Sequence, residues 1–231
     1  MSDRYIRLSD DYPDFGIDRQ SPYAVYRFMR EETHVDSMLQ GNVYLSTLET
    51  CRKHENKERG DRYEGYSFYS SGIASGTGSE PHMQTVASRL GFRMGLSTHG
   101  YFAWCSSQTR LRDSFVLCTT DKFSTSMFKD FGNYCVEISR LPDFYMLMNK
   151  LLKQNHNIGH GLAGYTLYED RWYEGLEPPP APPTTVALLK PERYKNQKEY
   201  RFSWNPVPNI GDLTPFTVSS DELIPFFRRI S

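Results

Sequence analysis

The sequence predicts an α+β fold with a mixed, mostly antiparallel sheet and short helices. Many short apolar or alternating segments indicate strands. The helical segments between them do not alternate regularly with these strands, as they would in a doubly wound parallel sheet. Aromatic residues make up 14% of the chain, which favours a sheet-rich structure.

The first part of the chain predicts a strand, a helix and a strand after a polar, turn-rich lead-in over residues 1–20. An alternating segment over residues 23–29 indicates the first strand. Thr33 is a suitable N-cap for a short helix, and Gly41 suits the position just after the C-terminus of that helix. Residues 43–48 indicate the next strand.

The rest of the chain predicts more short strands and three helices. The strands are expected over residues 63–69, 100–105, 114–120, 133–138, 164–168, 184–189 and 198–204, and around Trp172. The helices are expected over residues 82–90, 123–130 and 141–153, and a flexible loop over residues 70–81. Too little chain follows the proline-rich connector at residues 177–183 to form a second domain, so residues 1–231 are predicted to form a single domain.

The charge balance argues against partners that bind by bulk electrostatics. The chain has 27 basic and 28 acidic residues, a net charge of -1, which excludes unspecific capture of nucleic acid or of an anionic membrane but allows a local basic cleft. No apolar segment is long enough to span a bilayer, and the N-terminus lacks the apolar core of a signal peptide. Four cysteines without a CxxC pair favour a reduced, cytoplasmic protein with no membrane partner.

The histidines and carboxylates do not predict a metal site. His156 and His160 are four residues apart, but the glycines on both sides of His160 argue against one continuous helix that would carry both rings. Asp61 and Glu64 alone are too few hard ligands for Mg²⁺. We therefore expect no metal cofactor.

Two polar pairs interrupt the first two predicted strands. The first is Tyr26-Arg27, and an arginine among apolar neighbours in a strand either extends its head group to solvent or binds an anion. The second is Ser46-Thr47, which has small hydroxyls at the end of the next strand. Each has a simpler interpretation: an ion pair between Arg27 and Glu199, and ordinary polar residues at a strand end.

A third polar cluster lies in the strand predicted over residues 198–204. Gln197, Glu199 and Arg201 are spaced by two residues, which predicts that they share one face of the sheet. The simpler interpretation is that they are exposed surface residues.

The order of Arg27, Ser46-Thr47 and then Gln197-x-Glu199 resembles the motif of the ADP-ribosyltransferases. The resemblance implies a split sheet and NAD as a substrate. It implies that Arg27 holds the NAD pyrophosphate and that Ser46 and Thr47 shape the nicotinamide pocket. It further implies that Glu199 stabilises the ribose cation and that Gln197 faces the nucleophile of the acceptor.

Physical chemistry is compatible with these implied roles. Cleavage of the bond between nicotinamide and ribose leaves positive charge on the sugar, which a fixed carboxylate such as Glu199 stabilises. The fork of an arginine guanidinium suits a pyrophosphate. Aromatic side chains stack on nicotinamide and adenine, and Tyr26, directly before Arg27, is one that is available.

A second resemblance covers most of the chain. Tyr26-Arg27, the segment 41–46, Asp61-x-x-Glu64, the strand around Cys118 and the segment 198–201 occur in the order found in a widespread bacterial family of unassigned function, whose members often lie near defence genes. This resemblance adds Asp61, Glu64 and Arg201 to the candidate cofactor-binding residues. A turn between a loop and a strand is the simpler interpretation of residues 61–64.

The sequence thus predicts a cytoplasmic bacterial NAD-dependent ADP-ribosyltransferase, a glycosyltransferase of a defence or toxin system, that modifies a protein or a nucleic acid. A metal-independent nuclease or RNA-processing toxin is an alternative, with arginines such as Arg59 and Arg62 on the phosphates and Glu199 or a histidine as the base. A nucleotide- or peptide-binding module without chemistry is another. An enzyme needs Glu199 at the floor of a cleft with Arg27 within roughly 10 Å, which is the discriminating feature.

Overall fold

In a computed structural model, the described residues are 4–7, 13–53, 61–179, 183–207 and 212–231. Strands and short helices alternate irregularly along the chain, and most strand pairs are antiparallel. The predicted α+β class with a mostly antiparallel sheet and short helices is therefore confirmed.

The helices and strands are numbered here in chain order. The α-helices are α1 (Glu32–Leu39), α2 (Leu48–Lys53), α3 (Pro81–Arg89), α4 (Phe128–Phe131) and α5 (Leu141–His156), and 3-10 turns cover Thr125–Met127, Pro183–Leu188, Glu192–Gln197 and Asp221–Phe226. The strands are β1 (Tyr5–Arg7), β2 (Phe15–Asp18), β3 (Ala24–Met29), β4 (Asn42–Thr47), β5 (Tyr66–Ser70), β6 (Ile73–Thr77), β7 (His99–Ala103), β8 (Ser106–Arg110), β9 (Phe115–Thr120), β10 (Tyr134–Ser139), β11 (Ile158–Tyr165), β12 (Leu167–Tyr168), β13 (Trp172–Glu174), β14 (Leu189–Lys190), β15 (Glu199–Pro206), β16 (Phe216–Ser219) and β17 (Phe227–Arg229).

The chain forms two compact units. The larger unit comprises Met1–Glu64, Arg112–Thr166 and Arg193–Ser231, and the smaller one Gly65–Leu111 and Leu167–Glu192. The assignment of residues 1–231 to a single domain stays a prediction. Every candidate site residue named from the sequence lies in the larger unit.

The larger unit is built on a ten-stranded sheet. Its strands follow the order β1-β2-β11-β15-β9-β3-β10-β17, with β4 joined to β9 and β16 joined to β4. Only the pair of β2 and β11 is parallel among the described strands of this sheet. The centre of the sheet, β15, is buried along seven of its eight residues.

Helix α5 covers one face of this sheet because its apolar residues recur at helical spacing. Its buried residues are Leu141, Phe144, Tyr145, Met148, Asn149 and Leu152. Phe144 packs edge-to-face on Phe202, with ring centroids 5.4 Å apart, and the indole of Trp204 donates to Asn149 Oδ1 at 2.7 Å. The helix ends at His156, and β11 begins at Ile158, so His156 and His160 do not share a helix, as expected.

The sheet forks at β9. Strand β3 meets β9 only at the pair of Tyr26 and Thr120, whereas β4 meets β9 at Val116 and Phe115. Among the described residues, the edge of β9 between these two junctions, residues 117–119, has no strand partner on that side. The fork therefore opens between β3 and β4, which carry the two polar pairs found in the sequence.

The smaller unit contains three short sheets and helix α3. β5 pairs with β8 and with β13, β6 pairs antiparallel with β7 across a connection that contains α3, and β12 pairs with β14. Strand β6 lies within residues 70–81, so the flexible loop predicted there is wrong. Alternation is weak in this glycine- and serine-rich segment, which is why the pattern did not indicate a strand.

Three further predictions differ from the structure. Residues 1–20 include β1 and β2 rather than turns alone, and residues 183–188 form a 3-10 turn instead of a strand. Thr33 lies inside α1, which is preceded by Glu31 without a side-chain cap. Of the connector at residues 177–183, residues 180–182 lie outside the described part of the chain.

Gly41 ends α1 as predicted. Its φ of 84° lies in the left-handed region, and a Cβ at this position would collide with the carbonyl of Ser220. Within the described ranges, no helix combines the length and hydropathy needed to cross a bilayer.

Candidate functional site: an ion cluster and a sheet fork

Three charged side chains meet in the interior of the larger unit. Arg201 Nη1 donates to Glu64 Oε1 at 2.6 Å, and Arg201 Nε and Nη2 contact Glu199 Oε1 at 2.8 and 2.7 Å. The exposed fractions of the Arg201, Glu64 and Glu199 side chains are 1%, 1% and 5%. These three residues, called the ion cluster below, are thus removed from water almost completely.

Alternation along β15 places two members of the ion cluster on one face. Tyr200, Phe202 and Trp204 join the hydrophobic core, so Glu199 and Arg201 point to the opposite face. The prediction that Glu199 and Arg201 share a face is confirmed. Gln197 does not share it, because it ends a 3-10 turn and Lys198, with a φ of 45°, interrupts the alternation before β15.

A turn delivers Glu64 to the ion cluster. The amide of Glu64 donates to the Asp61 carbonyl at 2.9 Å, and the amide of Tyr63 donates to Asp61 Oδ1 at 3.2 Å. Arg52 of α2 donates to the Glu64 carbonyl at 2.7 Å. Residues 61–64 therefore form a turn, which was the simpler interpretation of this segment of the sequence. The turn places the Glu64 carboxylate next to Arg201.

The ion cluster contains more negative than positive charge. Burial lowers the pKa of Arg201, but the carboxylates of Glu199 and Glu64 outweigh that effect and raise the pKa well above its ordinary value. Two carboxylates face one guanidinium, so the three residues carry a net negative charge when all are ionised. Such a cluster persists only because its geometry recovers the cost of desolvating three charges.

Arg27 occupies the fork and has a different environment. Its Nη1 donates to the Cys118 carbonyl at 3.1 Å, and among the described strands this stretch of β9 has no partner on the side of β3 and β4. No carboxylate in the described part of the chain pairs with Arg27, so the suggested ion pair with Glu199 is wrong. Burial lowers the pKa of Arg27, and the nearby groups are thiols and a phenol, those of Cys118, Tyr44 and Cys51.

The register across β9 brings the fork and the ion cluster together. Tyr26, Thr120 and Glu199 are opposite one another on β3, β9 and β15. The backbones of β3 and β15 are therefore about 10 Å apart, two strand spacings. Cys118, which accepts from Arg27, is the register partner of Arg201.

Aromatic rings form a cluster beside β3, and alternation along the strand places Tyr26 and Phe28 on the face opposite Arg27. Tyr26 packs edge-to-face on Phe123 at 5.9 Å, and Phe28 stacks on Phe123 at 5.9 Å. Phe128 closes this group, with its ring 5.5 Å from that of Phe28. Burial and Glu137 raise the pKa of Tyr26, so its hydroxyl stays protonated.

The two hydroxyl residues at the end of β4, Ser46 and Thr47, have different environments. Thr47 is buried and its Oγ1 accepts from the Thr50 amide at 3.1 Å, so it caps the start of α2. Ser46 is half-buried opposite Val116 of β9. Ser46 thus borders the fork, whereas the hydroxyl of Thr47 is engaged by its own helix.

Two cysteines belong to this region, which the sequence did not indicate. The neighbouring thiol of Cys118, on β9, lowers the pKa of Cys51, on α2, and the pKa of Cys118 is raised; the charges of Glu199 and Arg201 act on both thiols. The two residues are distant in the chain, and no local spacing predicts that they meet. The apolar setting of Cys118 was the one available signal, and it indicated burial alone.

The described residues contain no group of three or more histidine, cysteine, aspartate or glutamate side chains arranged to hold a metal ion. Arg27 could bind an anionic ligand, because its charge is not balanced by a carboxylate of the described chain.

No protein-family model, curated protein or solved structure matches the chain.

Proposed function

We propose that the protein is an NAD-dependent ADP-ribosyltransferase that binds NAD at the fork of its sheet. The observation that carries the proposal is Arg27, a half-buried cation that donates to a backbone carbonyl and has no carboxylate partner within the described residues. Only β9 separates its strand, β3, from β15, which carries Glu199. A buried cation without a counter-charge favours an anionic ligand. The pyrophosphate of NAD is such an anion.

The proposed roles follow the distances and contacts at the fork. Arg27 binds the pyrophosphate, because its guanidinium suits that anion. The opening between β3 and β4 supports the proposal, since the family resemblance implies a split sheet. Ser46 borders the same opening from β4.

Glu199 is the proposed catalytic residue. Both contacts from Arg201 fall on one oxygen, Oε1, which fixes the orientation of the carboxylate. As the bond between ribose C1′ and the nicotinamide nitrogen breaks, the bonding electrons leave with nicotinamide and the ribose becomes cationic. A fixed negative charge stabilises that cation until a nucleophile of a protein or nucleic-acid acceptor attacks C1′.

Calorimetric titration with NAD tests the binding step. Wild type should bind, and Arg27→Met should weaken binding at least tenfold because the pyrophosphate loses its cation. Arg30→Met is the matched control, since Arg30 is exposed just after β3 and should leave the affinity unchanged. Equal affinity of Arg27→Met and wild type, or no binding by wild type at millimolar NAD, would overturn the proposal.

Release of nicotinamide from NAD tests the chemical step without a known acceptor. Glu199→Gln should lower the release rate by about 10²-fold, the effect of removing one group that stabilises charge in the transition state. The NAD affinity and the circular dichroism spectrum should stay close to those of wild type. A release rate that is unchanged in Glu199→Gln would exclude Glu199 as the catalytic residue.

A nucleotide-binding module without chemistry is the second candidate function. The observation that favours it is the burial of Glu199, which is 5% exposed and bound by Arg201. NAD binding that depends on Arg27, together with no nicotinamide release by wild type, would support this candidate over the transferase.

A further inference from the structure

Strands β6 and β7 form a two-stranded ribbon in the smaller unit. Among the described strands, these two pair only with each other. At the two ends of the ribbon, the Trp104 amide donates to the Gly72 carbonyl at 2.7 Å, and the Gly78 amide donates to the Thr98 carbonyl at 2.9 Å. Bonded and non-bonded pairs alternate in an antiparallel ladder, so these two bonds mean that the amide and carbonyl of Tyr101 point away from β6.

The two outer edges of the ribbon differ in their surroundings. At the β6 edge, Glu80 Oε1 accepts from the Thr77 amide at 2.6 Å, and a ring nitrogen of His82 lies 3.4 Å from the Ser75 carbonyl. At the β7 edge, no described group accepts from the Tyr101 amide. The β6 edge is therefore covered by the start of α3, whereas β7 presents an open strand edge.

The outer face of the ribbon is apolar and exposed. Ile73 on β6 and Tyr101 on β7 are 64% and 67% exposed, and Trp104, directly after β7, is 64% exposed. The opposite face is packed, because the side chain of Met83, on α3, lies 3.3 Å from the place that a Cβ at Gly100 would take. The open edge of β7 thus borders an uncovered apolar face.

The ribbon lacks the residues that commonly keep an edge strand from pairing. Neither β6 nor β7 contains a lysine, arginine, aspartate, glutamate or proline. The register of the two strands runs without a bulge. An uncharged strand can pair with its own copy without bringing like charges together, and a net charge of -1 per chain gives little repulsion between two copies.

We propose that two copies of the chain associate by antiparallel pairing of β7 with β7, which joins the two ribbons into one four-stranded sheet. The pairing is symmetric about Tyr101, so His99 of each copy lies opposite Ala103 of the other copy. The Tyr101 amide of each copy donates to the Tyr101 carbonyl of the other, and the two apolar faces become continuous. Because a short edge contact buries little surface, we expect a dimer with a micromolar Kd.

This inference does not depend on the proposed NAD chemistry. The β6–β7 ribbon belongs to the smaller unit, and every residue proposed to act on NAD belongs to the larger unit. Loss of dimer formation would therefore leave the NAD proposal untouched, and the absence of NAD binding would leave the dimer untouched.

Sedimentation velocity of the full chain at about 1–200 µM tests the association. The mass of wild type should rise with concentration from that of one chain to that of two. Tyr101→Lys places two positive charges at the centre of the pairing and should weaken the dimer at least tenfold. Ile73→Lys is the matched control, since Ile73 is similarly exposed on the same face but lies on β6, and this variant should associate like wild type.

Three results would overturn the proposal. One is a wild type that stays monomeric over this range, and another is association beyond two chains, because a symmetric pair leaves no open β7 edge. The third is an equal loss of association in Ile73→Lys and Tyr101→Lys, which would indicate packing of the exposed faces instead of pairing of the edges.

A mixing experiment separates loss of pairing from loss of folding. Tyr101→Glu alone should be monomeric, as Tyr101→Lys is, and both should keep the circular dichroism spectrum of wild type. An equimolar mixture of the two variants should form a dimer, because opposite charges then face each other across the centre of the pairing. A mixture that stays monomeric where wild type dimerises would exclude pairing centred on Tyr101.

Discussion

Arg201 and Arg27 lie on two strands of the same sheet, β15 and β3, but their partners differ. Arg201 is 1% exposed and contacts the carboxylates of Glu64 and Glu199. Arg27 is half-buried and donates to the Cys118 carbonyl, with no carboxylate partner in the described chain. One arginine is surrounded by more negative charge than it carries, while the other retains an unbalanced positive charge.

This difference separates a structural cation from an available one. A guanidinium that two carboxylates hold in place has little left to offer a ligand, and its removal leaves buried negative charge behind. A guanidinium that satisfies a single carbonyl keeps donors for an incoming anion. The following substitutions and additions test whether the two arginines divide their tasks in this way.

The largest expected effect is that of Arg201→Met. This substitution strands Glu64 and Glu199 in the interior, so the free energy of unfolding should fall by about 3–5 kcal/mol in urea titrations. The triple variant that adds Glu64→Gln and Glu199→Gln should recover much of that loss. A loss below about 1 kcal/mol in Arg201→Met would show that the ion cluster is not a structural element.

Glu64→Gln should have a smaller effect than Arg201→Met. It leaves Arg201 with Glu199 as a balanced pair, so we expect a loss of about 1–3 kcal/mol in the free energy of unfolding. Glu32→Gln is the surface control, since Glu32 pairs with Arg229 in solvent and should contribute about 1 kcal/mol or less. Equal losses in the two variants would contradict the distinction between buried and exposed pairs.

Inorganic pyrophosphate should stabilise the folded protein through Arg27. At ten times its Kd, a ligand that binds only the native state adds about 1.4 kcal/mol to the free energy of unfolding. Thermal unfolding at matched ionic strength should show this gain in wild type and in Arg30→Met, and should show none in Arg27→Met. A gain of the same size in Arg27→Met would move anion binding away from the fork.

The smallest expected effect is that of Arg27→Met on stability without a ligand. The substitution removes a desolvated cation, which is favourable, and deprives the Cys118 carbonyl of a donor, which is unfavourable. Because these contributions oppose each other, the free energy of unfolding should change by less than about 1 kcal/mol. A loss as large as that of Arg201→Met would make Arg27 a structural residue as well.

Much of the fold could be predicted where the pattern is local and strong. The strand over residues 23–29, the helix from residue 141 and the strand over residues 198–204 all have clear periodicity, and all three are present. Strand β6 could not be predicted in this way, because its serine and glycine conceal the alternation.

The candidate site was predictable only within single strands. A period of two places Glu199 and Arg201 on one face, and the structure agrees. That Glu64 completes the ion cluster depends on how distant segments pack. The same packing decides that Arg27 contacts a backbone carbonyl rather than Glu199.

The position of β9 also has a consequence for how the protein folds during synthesis. Its longest pairing, six residue pairs, is with β15, which lies far along the chain. The contact between Glu64 and Arg201 likewise joins residues that are 137 positions apart. Contacts at such separation slow folding because a long loop must close first. Until β15 emerges, β9 presents an open strand edge, the feature that makes nascent sheets prone to aggregation.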